Sequence, residues 1–119
     1  MRPLASVGVL LLVACVSFQE VQVVETLYFG TARPGGTVSE GEWRTFVEEV
    51  ITPRFPGFTE LNAVGHWKGE REGTYVLQLA YPPRAEHERK VDEIIAAYKS
   101  RFQQEAVLRV TSRALARAQ

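Results

Sequence analysis

The sequence predicts an α+β fold, with one antiparallel sheet and two helices, and three observations predict it. "TYVLQLAY" (74–81) alternates with the period of two that marks a strand facing a core on one side. Two other segments, after Ser39 and after Arg84, repeat apolar residues at helical spacing. Pro and Gly clusters separate these segments into the order βαββαβ.

Each element has its own local reason. "VQVVETLYF" (21–29) is rich in β-branched and aromatic residues and stops at Gly30, which reads as the first strand. "TARPGGTV" is a loop. Ser39 and Glu42 stand at capping-box spacing, and Trp43, Phe46, Val47, Val50 and Ile51 then form one stripe of a helix that Pro53 ends. "RFPG" turns the chain into a second strand, Phe58 to Trp67, with Trp67 read as a core aromatic. "KGEREG" reads as a charged hairpin loop before the third strand, 74–81. The second helix spans Ala85 to Phe102, with Val91, Ile94, Ile95, Tyr98 and Phe102 on its buried stripe. "AVLRVTS" (106–112) is the fourth strand, and 113–119 is a C-terminal tail. This order is the split-βαβ pattern of ferredoxin-like folds: a four-stranded antiparallel sheet, the first and third strands central, both helices on one face.

The N-terminus carries a different message. "MRPLASVGVLLLVAC" has Arg2, an uncharged apolar run, then small Ala14 before Cys15, the chain's one cysteine. That is the layout of an export signal, too short to span a bilayer as a helix. "LVAC" resembles the bacterial lipobox, so residues 1–14 read as a lipoprotein-type signal peptide and Cys15 as the lipidated first residue of the mature chain; the alternatives are ordinary signal cleavage near Ala14 or Ser17 and an uncleaved anchor. Residues 15–20 are then a short tether and 21–112 the single domain. The expected location is the outer face of a bacterial membrane, periplasmic or cell-surface, with the membrane reached through lipidated Cys15.

Composition narrows the function. The chain has 119 residues, 45% hydrophobic and 24% charged, with 14 basic and 14 acidic side chains. No basic stripe is present to neutralise phosphates, so nucleic acid is not an expected partner. One cysteine excludes an internal disulfide, a CxxC redox pair and a cysteine-rich zinc site. His66 and His87 lack matched ligand spacing, so no metal and no cofactor is expected.

"LYFGTARP", the Trp and Phe of the first helix, "ITPRFPGFT", "GHW" and "YKSRFQQEAVLRV" resemble the bacterial domain-of-unknown-function family 3574. The resemblance spans about Leu27 to Val110. It implies an exported protein or lipoprotein and no particular chemistry. Ala106 stands where the family pattern implies Ser.

Candidate sites come from strand alternation. Tyr75, Leu77 and Leu79, Leu27 and Phe29, Leu61, Ala63 and Trp67, and Leu108 and Val110 are expected to face the helices. The open face would then carry Tyr28, Gln78, Asn62, His66 and Arg109, with Val64, Val76, Val107 and Thr111. Such a face is in the simplest case merely solvated, as is normal for antiparallel sheets; otherwise it could receive a carboxylate or phosphate through Arg109, an envelope protein, or a second copy as a homodimer. Arg54, Glu72 and Gln104, inside the family-like motifs, are further candidates, with a clamp on loop ends as their structural alternative. The reading favours a binding module over an enzyme. The alternative is a small enzyme of the dimeric α/β-barrel type, using Tyr28, His66 and Arg109 around a pocket on the open face.

Overall fold

The computed structural model describes residues 21–119; the expected signal peptide 1–14, Cys15 and the expected tether to residue 20 lie outside the described residues. The fold is α+β. Its elements are β1 (Val21–Gly30), β2 (Ala32–Arg33), β3 (Gly36–Thr37), α1 (Glu40–Phe46), β4 (Thr59–Trp67), β5 (Glu70–Tyr81), α2 (Ala85–Arg101) and β6 (Leu108–Leu115). A four-stranded antiparallel sheet has the order β4-β5-β1-β6, and β2 and β3 form a separate two-residue ladder.

Alternation in the two central strands places Val23, Leu27 and Phe29, with Tyr75, Leu77, Leu79 and Tyr81, on the covered face. Phe29 touches Trp43 and Phe46 from α1 and Tyr98 from α2, so both helices share that face. The aromatic cluster continues through Phe46–Phe102, and Trp43 stacks on Tyr75 with centroids 4.6 Å apart. Trp43 could not be buried with its indole N–H unpaired; Nε1 donates to Glu60 Oε1 at 3.0 Å.

The capping box forms as the spacing predicts: Ser39 Oγ accepts from the Glu42 N–H, and Glu42 Oε1 accepts from the Ser39 N–H. The regular helix is shorter than expected. After Phe46 it widens into a π-helical turn, Val47–Ile51, in which the Thr52 N–H reaches the Val47 carbonyl. Pro53 has no N–H to continue the ladder. Arg54 supplies a donor instead, with its NH1 on the Val50 carbonyl at 2.9 Å. Phe55, expected only to turn the chain, is buried in the core.

Two strand boundaries and the placement of Trp67 differ from expectation. The "KGEREG" loop is a two-residue turn: Lys68 and Gly69 both have positive φ, 48° and 81°, which lets β4 and β5 pair up to Trp67–Glu70. The last strand runs to Leu115, because Arg113–Leu115 pair with Val21–Val23. Trp67 is 74% exposed at the hairpin end, not in the core.

Candidate functional site: the open sheet face

Register decides which residues share a face. β5 even positions lie opposite even positions of β1 and odd positions of β4; β1 even positions lie opposite even positions of β6. The face away from the helices therefore carries Tyr28 between Val76 and Leu108, Thr26 between Gln78 and Val110, and Leu61 beyond Val76. Tyr28 and Gln78 are where the alternation puts them. Asn62, His66 and Arg109 are not: they occupy the helix side of the sheet, while Leu61, Ala63, Leu108 and Val110 face out. The expectation for β4 and β6 was one residue out of phase.

In β4 the inward Glu60 accepts the Trp43 indole N–H, and in β6 the physical reason is Glu25. It lies on β1 among Val23, Leu27 and Phe29 and is fully buried. A buried carboxylate requires partners. Arg109 supplies two hydrogen bonds, NH2 to Oε1 at 2.6 Å and Nε to Oε2 at 3.1 Å; Tyr81 Oη donates at 2.7 Å and Thr111 Oγ1 at 2.8 Å. Arg109 also reaches Asp92 on α2, NH1 to Oδ1 at 2.7 Å. Burial pushes the Glu25 carboxyl up, but bonds from Arg109, Tyr81 and Thr111 outweigh it and hold the group below the usual range. The hydrogen bonds to Glu25, and with them Asp92, raise Arg109, and burial together with Glu25 raises the Tyr81 phenol. The cluster ties β6 to β1 and α2. No buried side-chain polar atom lacks a partner among the described residues.

The remaining candidates have structural partners. Arg54 Nε pairs with Glu93 on α2 at 3.0 Å, so it joins the two helical segments. Glu72 Oε1 accepts the Ala32 N–H at 2.7 Å, and Gln104 Nε2 donates to the Ala32 carbonyl at 2.7 Å. The backbone of one residue, Ala32, is thus held at both its N–H and its carbonyl. Tyr98 Oη donates to the Gly30 carbonyl at 2.6 Å and Thr31 Oγ1 to the Gly73 carbonyl at 2.7 Å. Arg33 makes two bonds to Glu42, which holds that carboxyl below its ordinary range. The family-like "GTAR" segment is a clamped loop. Gln104 is positioned by a left-handed Gln103 (φ 51°) and a Gln104 N–H bond to the Lys99 carbonyl, a Schellman-type helix end. Asn62 lines a cleft of about 290 Å³ between α1 and β4, beside Trp43, Tyr75 and Glu60. His66 is exposed near the hairpin end, opposite Arg71.

What remains open is the sheet face itself. Leu61 is 50% exposed, Leu108 61%, Val110 47% and Tyr28 37%, yet Val76 in their midst is only 5% exposed. Those neighbours pack around Val76 with no second layer among the described residues. From Gln22 to Tyr28, Thr59 to Gly65, Thr74 to Ala80 and Leu108 to Ala114, no position on this face bears a charge. Sequence reasoning missed this continuity, although the signal was available: a Glu at an inward position of an apolar strand demands an inward cation, and Arg109 is the basic residue of "AVLRVTS".

Fold and site together define a small α+β domain with one helix-covered sheet face and one face that, among the described residues, has no covering layer and carries charge only at its hairpin end, on Glu70 and Glu72. The chain belongs to the family described as "Protein of unknown function (DUF3574)", which matches residues 24–117. No curated protein and no solved structure matches the chain. Among the described residues, no helix is long and apolar enough to cross a membrane, and no group of three or more His, Cys, Asp or Glu could hold a metal.

Proposed function

We propose that this is an exported, lipid-anchored, non-catalytic interaction domain whose working surface is the open face of the sheet. The observation that carries the reading is that face: its central positions are uncharged, and Leu61, Leu108, Val110 and Tyr28 stand exposed on it around a buried Val76. Antiparallel sheets normally solvate a bare face with polar side chains. Here large apolar side chains on both edge strands, Leu61, Leu108 and Val110, stand exposed between the polar ones, and exposed apolar groups gathered on one face mark a docking surface. The strand order β4-β5-β1-β6, with both helices on one side, supports a ferredoxin-like arrangement carrying an added β2–β3 ladder.

A small anionic ligand on this face loses its support, because Arg109 faces the helices and is engaged by Glu25 and Asp92. The enzyme reading weakens for the same reason: Tyr28 lies on one face, His66 and Arg109 on the other. A protein partner needs neither. The "LVAC" pattern supports anchoring through Cys15, which leaves only five residues before β1 and holds the domain close to the membrane.

Photo-crosslinking tests the face. With p-benzoylphenylalanine in place of Tyr28, irradiation in a bacterial host should give a protein adduct; the same group at Glu88 on α2 should not. Absence of an adduct at Tyr28 would remove the docking reading. Detergent-phase partitioning tests the anchor: the wild type should enter the detergent phase and Cys15→Ser the aqueous phase. Mass spectrometry finding a mature terminus beyond Cys15 would overturn the anchor.

A further inference from the structure

We infer that the occupant of the open sheet face is a second copy of this chain, packed face to face about a twofold axis. The inference rests on the docking reading above and names its partner.

The chemistry of the face selects the partner. A twofold interface sets one patch against itself, so each group must tolerate a neighbouring set of the same groups. Charged side chains would fail that test, since like charges would be forced together. None occurs from Thr74 to Ala80 or on the strand positions beside them, and the face's two carboxylates, Glu72 and Glu70, stand at its hairpin end. The polar side chains present, including Tyr28, Thr26, Gln78, Thr59 and Ser112, are hydroxyls or amides. Each both donates and accepts hydrogen bonds, so a copy of the same set can satisfy it. An anionic membrane surface would be met by Lys or Arg, which this face lacks. A charged protein partner would find no complementary group here.

Size agrees with the chemistry. The four strands run 10, 9, 12 and 8 residues. Four strands about 4.8 Å apart, each with about eight residues rising roughly 3.3 Å, present about 500 Å² in plan. Two such faces would bury about 1,000 Å², near the lower bound for a specific interface, and side-chain relief adds to it. The field is centred on β1 and β5, so a stacked copy would cover Val76 and its neighbours with their own kind. Leu108 and Val110 of one copy and Leu61 of the other flank that centre on opposite edges.

The test is sedimentation of the full chain in density-matched neutral detergent, at concentrations from micromolar to several hundred micromolar. The expected result is a species of twice the single-chain mass that dissociates on dilution. Val110→Arg and Gln78→Arg, both at exposed positions, should each weaken the dimer at least tenfold without shifting the thermal midpoint of the dilute monomer. Glu88→Arg on α2 should leave the dimer unchanged. A dimer indifferent to both face substitutions would use another surface and would overturn the inference. A monomer across the whole range would also overturn it. If the Tyr28 crosslink then joins the chain to a different protein, only the identity of the partner fails. If no crosslink forms, the docking reading falls with it.

Discussion

Replacing Arg109 with Leu should be among the most damaging single changes available outside the aromatic core. Arg109 is about a quarter exposed, while its partner Glu25 is fully buried. The substitution leaves a carboxylate inside the sheet–helix layer with only Tyr81 and Thr111 as donors. Breaking a buried pair from one side costs about 3–5 kcal/mol, and the two surviving hydrogen bonds place this case near 3. For a domain of this size that lowers the melting temperature by roughly 12 °C or more. The cost depends on pH with a definite sign. In the wild type the Glu25 pKa is depressed, so its contribution is present above about 4.5, the unfolded value, and is lost as pH falls through the lower folded value. In the variant, burial raises the same group, so the defect should be largest near neutrality and shrink as the solution is acidified toward pH 4–5. Glu25→Leu should cost less than Arg109→Leu, because the freed guanidinium keeps Asp92 and can reach water. The double variant should recover much of the loss, as buried pairs replaced by apolar residues commonly do. Urea unfolding of all four proteins forms a double-mutant cycle. Additive costs, or an Arg109→Leu penalty below about 1 kcal/mol, would refute the clamp.

The other predictions are simpler. Phe46 is fully buried against Phe29, Trp43, Tyr98 and Phe102, so Phe46→Ala should cost about 3–5 kcal/mol by urea unfolding. A melting temperature within a degree or two of wild type would contradict that packing. A Cβ on Gly30 would stand 2.8 Å from Glu72 Oε1, so Gly30→Ala should displace Glu72 from the Ala32 N–H. Loss of that hydrogen bond costs about 1–2 kcal/mol, and faster amide exchange at Ala32 would show it directly. Removing the Glu93 partner of Arg54 should matter little, under about 1 kcal/mol, because Glu93 is half exposed and Arg54 keeps the Val50 carbonyl.

The central strands and both helices were legible because their buried faces obey simple periods. Leu77 and Leu79 on β5 and Val91, Ile94 and Tyr98 on α2 fall where spacing puts them. The capping box at Ser39 was readable for the same reason, since it depends on residues three apart. The edge strands were not legible. In β6 the alternation of Leu108 and Val110 against Arg109 suggests the wrong inward face, because hydrophobicity says nothing of a carboxylate waiting on β1. In β4 the inward Glu60 serves the indole of Trp43, again a polar demand set by a distant residue. The clamp on Ala32 by Glu72 and Gln104 joins positions 40 and 72 residues away from it, beyond any local pattern. Conversely, the uncharged open face was hidden because its residues look like core.

Thiol labelling of the open face tests the central claim most directly. Val110→Cys and Glu88→Cys would be introduced separately into the full chain, in a bacterial host, and exposed to a maleimide after gentle lysis. Both positions are exposed on the isolated domain, so their intrinsic access is comparable. If the open face is an occupied docking surface, Val110→Cys should label at least tenfold more slowly than Glu88→Cys, and dilution into mild denaturant below the unfolding midpoint should equalise them. Equal labelling at the outset would mean that the face meets only water, and the account of this domain as an interaction module would fail.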